Sequence, residues 1–189
     1  MTAELEIRPA TAERWEDLAR LFGPSGACYG CWCMWLRLSG PEFEKLRAAG
    51  RRAALERLVK ENRVPGLLAC RAGQAVGWCA LAPREEFVRL SRSPVLKPVD
   101  ASPAWSVPCF FVHPQERGRG VAEALLAAAA HRAEAAGARL LEGYPVEPPA
   151  SPLSAYVGVT PMFSRAGFRE VARRRPRRPI LRLELQPSG

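Results

Sequence analysis

An apolar run ending at a proline, a glycine-rich turn and a long helix-forming stretch follow one another without a gap: Phe110-Phe111-Val112-His113-Pro114-Gln115-Glu116-Arg117-Gly118-Arg119-Gly120-Val121-Ala122-Glu123-Ala124-Leu125-Leu126. A chain with this segment must bring a strand end, a tight turn and a helix start to one point. The small residues Gly118, Gly120 and Ala122 let backbone approach a ligand closely. The first N–H groups of a helix have no intrahelical partner and carry the positive end of its dipole. That combination is an anion site, and a diphosphate fits it. Arg117 and Arg119 add charge. No Gly-Lys-Ser/Thr follows, and the glycine spacing is not that of a dinucleotide fingerprint, so neither of those phosphate loops applies.

The rest of the chain alternates strand and helix patterns. A first strand is expected at residues 5–8, then a helix capped by Thr11 that carries Trp15, Leu18, Leu21 and Phe22 on one face. A loop dense in Cys and aromatics occupies residues 27–36, and residues 41–62 read as helix with a break at Gly50. A hairpin is expected from residues 67–71 and 75–81. Residues 84–104 read as irregular, residues 105–112 as one long strand, and residues 118–136 as a helix closed by Gly137. A strand at residues 139–144 runs into a Pro-rich loop, a short helix starts at Thr160-Pro161, and residues 168–172 and 180–185 close the sheet around an Arg-rich turn at 173–178. Pro108 falls inside the long strand, where it cannot donate to a ladder, so it marks a bulge or splay. The order predicts an α/β (α+β) fold, one curved mixed sheet with helices on its faces. At 189 residues the chain is expected to be one domain spanning 1–189.

Arg117-x-x-Gly120-x-Ala122, preceded by Val112-His113-Pro114, resembles the acyl-CoA signature of the GNAT superfamily of N-acyltransferases. Phe163-Ser164-Arg165-Ala166-Gly167-Phe168 resembles a second element of that family, and the likeness covers roughly residues 1–186. The resemblance implies a central mixed, splayed sheet flanked by helices. It implies transfer of an acetyl group from acetyl-CoA to a small-molecule or peptide amine, by direct attack in a ternary complex. The diphosphate would lie on Arg117, Gly118, Arg119, Gly120, Val121, Ala122 and Glu123, and the pantetheine arm along Phe110, Phe111 and Val112. Phe163 stands where many members place a Tyr that protonates the departing thiolate, and Tyr156 where many place a cofactor-touching Asn. Phe163 has no proton to give. Tyr144 can supply the missing hydroxyl or simply pack, and Glu85 can act as base or amine anchor. The family places the loop with Tyr29, Trp32 and Trp35 on the acceptor side. Two other readings stay open: an acyl-CoA sensor without turnover, and an RNA-directed protein using the Arg-rich turn.

Charge and cysteine usage narrow these. The net charge of +9 rests on 25 Arg against 3 Lys, and residues 169–189 alone hold seven Arg against two Glu. Residues 173–178 lack interleaved aromatics and any RNA-binding motif, so they read as a solvated hairpin turn. Cys28-x-x-Cys31-x-Cys33 lacks a fourth ligand nearby, so no metal is expected. Six Cys are too few for a disulfide scaffold and fit reduced thiols in a cytoplasm. No apolar signal core opens the chain, and Glu123, His131, Arg132 and Glu134 interrupt the most apolar stretch, so neither secretion nor a membrane span is expected. A homodimer is left open.

Overall fold

In the computed structural model, which describes residues 4–151 and 155–186, the strands and helices follow the sequence pattern closely. The order is β1 (Leu5–Pro9), α1 (Trp15–Phe22), α2 (Gly40–Lys60), β2 (Gly66–Arg71), β3 (Gln74–Ala80), β4 (Ala82–Pro83), α3 (Val88–Arg92), β5 (Trp105–Val107), β6 (Phe110–Val112), α4 (Val121–Ala135), β7 (Leu140–Gly143), α5 (Thr160–Arg165), β8 (Arg169–Arg173) and β9 (Pro179–Glu184). Two sheets result, one ordered β1-β2-β3-β6 and the other β4-β5-β7-β9-β8. Every pairing is antiparallel except that of β5 with β7.

Strand alternation decides what each face buries. On β2, Leu68 and Cys70 point to a cluster with Trp15, Leu18 and Phe22 of α1. Leu67 and Ala69 point the other way, to a cluster with Val121, Leu125 and Ala129 of α4. The first sheet is therefore covered on both sides, α1 on one and α4 on the other. Close seating of α4 needs the bare backbone of Gly77, where a Cβ would fall 2.6 Å from a Val121 methyl.

Several expectations shift. Residues 105–112 form not one strand but two of three residues each, in different sheets. Pro108 sits at the break, as a residue without an N–H should. The break in α2 falls at Arg47 (φ 53°), not at Gly50. Arg51 explains the position: its Nε donates to the carbonyl of Phe43 at 2.8 Å, an acceptor that a straight helix would give to Arg47. Helix α2 opens on a capping box, with the Ser39 N–H donating to Glu42 at 2.9 Å. Thr11 makes no capping bond, and a short turn at Ala12–Arg14 precedes α1. Residues 84–104 contain a turn at Arg84–Glu86 and the short α3. Helix α4 begins at Val121, three residues later than expected, because Gly118 (φ 73°) and Gly120 (φ 75°) are left-handed. Among the described residues no helix is long and apolar enough to cross a membrane.

A charge cluster ties the second sheet together. Glu142 on β7 is 1% exposed. It accepts from Arg84 at 3.2 Å, from Arg182 on β9 at 2.7 Å and from the Tyr144 hydroxyl at 3.0 Å. Arg182 reaches on to Asp100 at 2.8 Å, which fastens the loop before β5. Removing one partner of a buried pair leaves the other charge uncompensated, typically at a cost of about 3–5 kcal/mol. Glu142→Ala should lower unfolding free energy by about that much in urea titrations. A loss below about 1 kcal/mol would show that solvent or other acceptors take over the arginines.

Candidate active site

The two sheets part at one point. Val107 on β5 pairs with Gly143 of β7, whereas Phe110 on β6 pairs with Cys79 of β3. Pro108 and Cys109 bridge the gap, and the Ala80 N–H donates to the Cys109 carbonyl at 3.0 Å. Because β6 is the last strand of its sheet, its far edge is open. That open edge is where a strand-like ligand can pair.

A cavity of about 430 Å³ opens at the splay. Tyr29, Trp35, Phe43, Phe87, Phe111 and Tyr156 form its aromatic wall, and Cys28, Cys31, Cys33 and Cys109 line it too. Among the described residues no carboxylate, lysine or histidine lines it. The wall is braced from outside by cations: Arg89 lies 3.7 Å from the Trp35 ring centroid and Arg51 lies 3.5 Å from that of Phe43. Trp35 and Phe43 meet edge to face at 5.1 Å. Tyr29 and Trp35 are exposed. Trp32 is not part of it. Its indole is 5% exposed, packs against Trp15 and Phe22, and lies over Gly26, so it belongs to the core.

The glycine turn presents a backbone cradle at the end of β6. A Cβ built on Gly118 or Gly120 would meet nothing within 4 Å. Glycine is needed there for the left-handed conformation, and the space above is open to a ligand. Backbone N–H groups of residues 118–123 precede or begin α4, so the cradle fits a diphosphate. The turn's charges are partly internal. Arg117 Nε donates to the Val112 carbonyl at 3.2 Å, and Arg119 pairs with Glu116 at 3.3 Å. Glu123, an acid in the first turn of α4, is offset by Arg165 at 3.1 Å.

The proposed proton-handling residues are placed differently from expectation. Tyr144 is 1% exposed. It spends its only proton on Glu142, and the Ser106 hydroxyl at 2.8 Å then donates to it. Burial pushes its pKa well above the ordinary phenol value, and its hydroxyl is engaged with Glu142 and Ser106 inside the second sheet. Glu85 is exposed and lines a separate surface cleft with Arg37 and Glu86. Phe163 is fully buried against Phe110, Phe168 and Gly143, and touches no open space. Tyr156 does line the cavity, and burial raises its pKa. The Arg-rich turn is not free charge. Arg173 pairs with Glu170 and Glu147, Arg174 donates to the Lys97 carbonyl at 2.6 Å, and Arg177 donates to the carbonyls of Glu147 and Pro149. These guanidiniums clamp two neighbouring loops, which corrects the reading of the turn as merely solvated.

Sequence reasoning missed Phe43 and Phe87 in the wall and the contact between Cys33 and Cys109, whose sulfurs lie 3.3 Å apart. Nothing local signals such contacts between distant segments. Among the described residues no group of three or more His, Cys, Asp or Glu is arranged to hold a metal.

The same architecture occurs in solved structures. The polyamine N-acetyltransferase of Drosophila melanogaster superposes with a TM-score of 0.58 at 16% identity, covering 96% of this chain and 100% of that one. An N-acetyltransferase from Staphylococcus aureus Mu50 gives 0.56 at 14% identity, over 97% and 100%. The PaiA N-acetyltransferase of Thermoplasma acidophilum, solved in complex with coenzyme A, gives 0.53 at 13% identity, over 96% and 99%. No curated protein matches the chain. A family model described as the acetyltransferase (GNAT) family matches residues 32–149. With the splayed sheet and the glycine cradle in place, that match shows that the chain belongs to the GNAT acetyltransferase family.

Proposed function

We propose that the protein transfers an acetyl group from acetyl-CoA to an amine carried on an apolar, aromatic body. The observation that carries this is the continuity of the site: the glycine cradle, the open edge of β6 and the aromatic cavity follow one another along residues 108–123. Acetyl-CoA supplies the activated acyl group. Backbone N–H groups of residues 118–123 hold its diphosphate, and Phe110, Phe111 and Val112 offer their open edge to its amides. The acetyl group then lies at the splay, against the cavity. Orientation of the two reactants supplies much of the catalysis, and an N–H at the splay polarises the carbonyl.

The cavity's chemistry favours a neutral amine. With no carboxylate in the wall and Arg51 and Arg89 behind it, a second positive charge on the acceptor is repelled. The amine therefore attacks directly after losing its proton to water. Polyamines, after which the Drosophila enzyme is named, fit this wall poorly. Tyr156 takes the place of Phe163 and Tyr144 as the cavity's candidate proton donor.

Three outcomes test this reading. Ala122→Glu places a carboxylate in the cradle while leaving the free helix start well served by an acid. At about 4 Å and an effective dielectric near 20, like charges repel by about 4 kcal/mol, so calorimetry should show acetyl-CoA binding weakened about a hundredfold or more. Unchanged affinity would remove the cradle from the cofactor site. In an amine panel, phenylethylamine and tryptamine should exceed spermidine in kcat/KM by at least about tenfold, since a desolvated cation beside fixed positive charge costs several kcal/mol. The reverse order would sink the aromatic acceptor while leaving the transfer reaction standing. Tyr156→Phe should lower kcat by about tenfold or more with acetyl-CoA affinity intact, the low end of general acid catalysis. A silent Tyr156→Phe makes water the donor.

A further inference from the structure

Two thiols in the cavity have no part in the transfer reaction. Cys33 lies in the loop between α1 and α2, and Cys109 follows Pro108 at the splay, 76 residues away in sequence. Their sulfurs are 3.3 Å apart, both residues are partly exposed, and both line the cavity. A disulfide needs about 2.05 Å between sulfurs, so the pair is about 1.2 Å from bonding distance. Cys33 is held in place by the Trp78 indole N–H, which donates to its sulfur at 3.0 Å.

The pair is also asymmetric. The two sulfurs share one hydrogen bond in which either can donate. With Cys33 as donor it holds Cys109 below its ordinary pKa against the cost of burial, helped by the Ala80 backbone and the cation of Arg37. The same bond and burial push Cys33 up, so it keeps its proton. The other titratable groups that bear on Cys109 are Cys31, Cys79 and Tyr156. Burial pushes Cys31 up to about 11 and raises Cys79 further, which leaves both unreactive near neutrality.

We propose that Cys109 and Cys33 form an oxidisable dithiol site for small hydroperoxides, with Cys109 attacking and Cys33 resolving. The Cys109 thiolate attacks the outer peroxide oxygen, the O–O bond breaks, and the leaving alkoxide or hydroxide takes a proton. Cys109 becomes a sulfenic acid, oxidised by two electrons, and the peroxide is reduced. The Cys33 sulfur then attacks Cys109, an S–S bond forms, and the sulfenic oxygen leaves as water with the Cys33 proton. In sum, two thiols and one hydroperoxide give a disulfide, an alcohol or water, and one water. The bridge pins the loop that carries Tyr29 and Trp35 to the splay. That loop already holds Ala27, Tyr29, Trp32 and Cys33 at positive φ, so the bridge fixes a segment whose conformation is set by packing.

The test uses the full chain without any amine or acetyl-CoA, so its result is independent of the transfer reaction. Reduced protein is exposed to one equivalent of hydrogen peroxide, capped with N-ethylmaleimide and mapped by non-reducing peptide mass spectrometry. A Cys33–Cys109 linked peptide that dithiothreitol reverses is expected. No linked peptide, or linkage of Cys28 to Cys31 instead, overturns the proposal. Cys33→Ser should leave a sulfenic acid on Cys109 that dimedone traps, whereas Cys109→Ser should leave Cys33 a free thiol. A dimedone adduct on Cys33 in the second variant would reverse the roles and overturn the assignment. Because the first readout needs no substitution, a poorly folding variant cannot hide the answer. A thiol held below its ordinary pKa is already ionised before the pH reaches that value. The rate of bridge formation should therefore rise with pH and level off at a lower pH than the oxidation of a free cysteine peptide measured alongside. A rate that levels off no earlier than that of the free peptide removes Cys109 as the attacking thiol.

Discussion

A proline in the middle of a sheet is the constraint on which the site rests. Pro108 has no N–H, so the ladder that holds β5 to β7 cannot continue through it. The strand leaves one sheet at Val107 and joins another at Phe110. Two consequences follow from that single missing donor. One edge of β6 has no neighbouring strand, and the space between the diverging sheets becomes a cavity. Donation from the Ala80 N–H to the Cys109 carbonyl keeps the break from leaving a buried acceptor empty.

Each arm of the splay is fixed by its own device, so the opening between them does not collapse. On one arm, α4 seats against the bare backbone of Gly77 and buries Val121, Leu125 and Ala129. On the other, Glu142 gathers Arg84, Arg182 and Tyr144, and so couples the turn after β4 to β7 and β9. A buried carboxylate with three donors is polar but satisfied, which makes it rigid. Clamping by Arg173, Arg174 and Arg177 adds the loops at 95–98 and 147–149 to the same arm.

The features that were legible in the sequence are those whose physics is local. Gly118 and Gly120 announce a left-handed turn wherever they fall, and Pro108 announces a broken ladder. The hairpin of β2 and β3 and the helix α4 follow from alternation and periodicity. What could not be read is tertiary. Trp32 and Trp35 differ by three positions and look alike in the sequence, yet one is core and the other is wall, because the loop's positive-φ residues turn them apart. Gly50 looked like the weak point of α2, but the break went where Arg51 could cap a freed carbonyl. Tyr144 carried a hydroxyl at the right place in the chain, and only the structure shows that Glu142 already holds its proton.

Burial accounts for the absence of a phenol at position 163. In the interior against Gly143, where Phe163 sits, a hydroxyl would be buried without a partner, typically at a cost of about 1–3 kcal/mol. Arg51 and Arg89 stand behind an aromatic wall in which, among the described residues, there is no carboxylate, while the charge of Arg37 is met by Glu86 at 2.7 Å. The thiolate of Cys109 is favoured first by its hydrogen bond with Cys33 and then by the Ala80 backbone and Arg37, against the cost of burial. Burial pushes Cys31 and Tyr156, which line the same cavity, toward their neutral forms. What sets Cys109 apart is therefore its immediate neighbours and not the pocket as a whole.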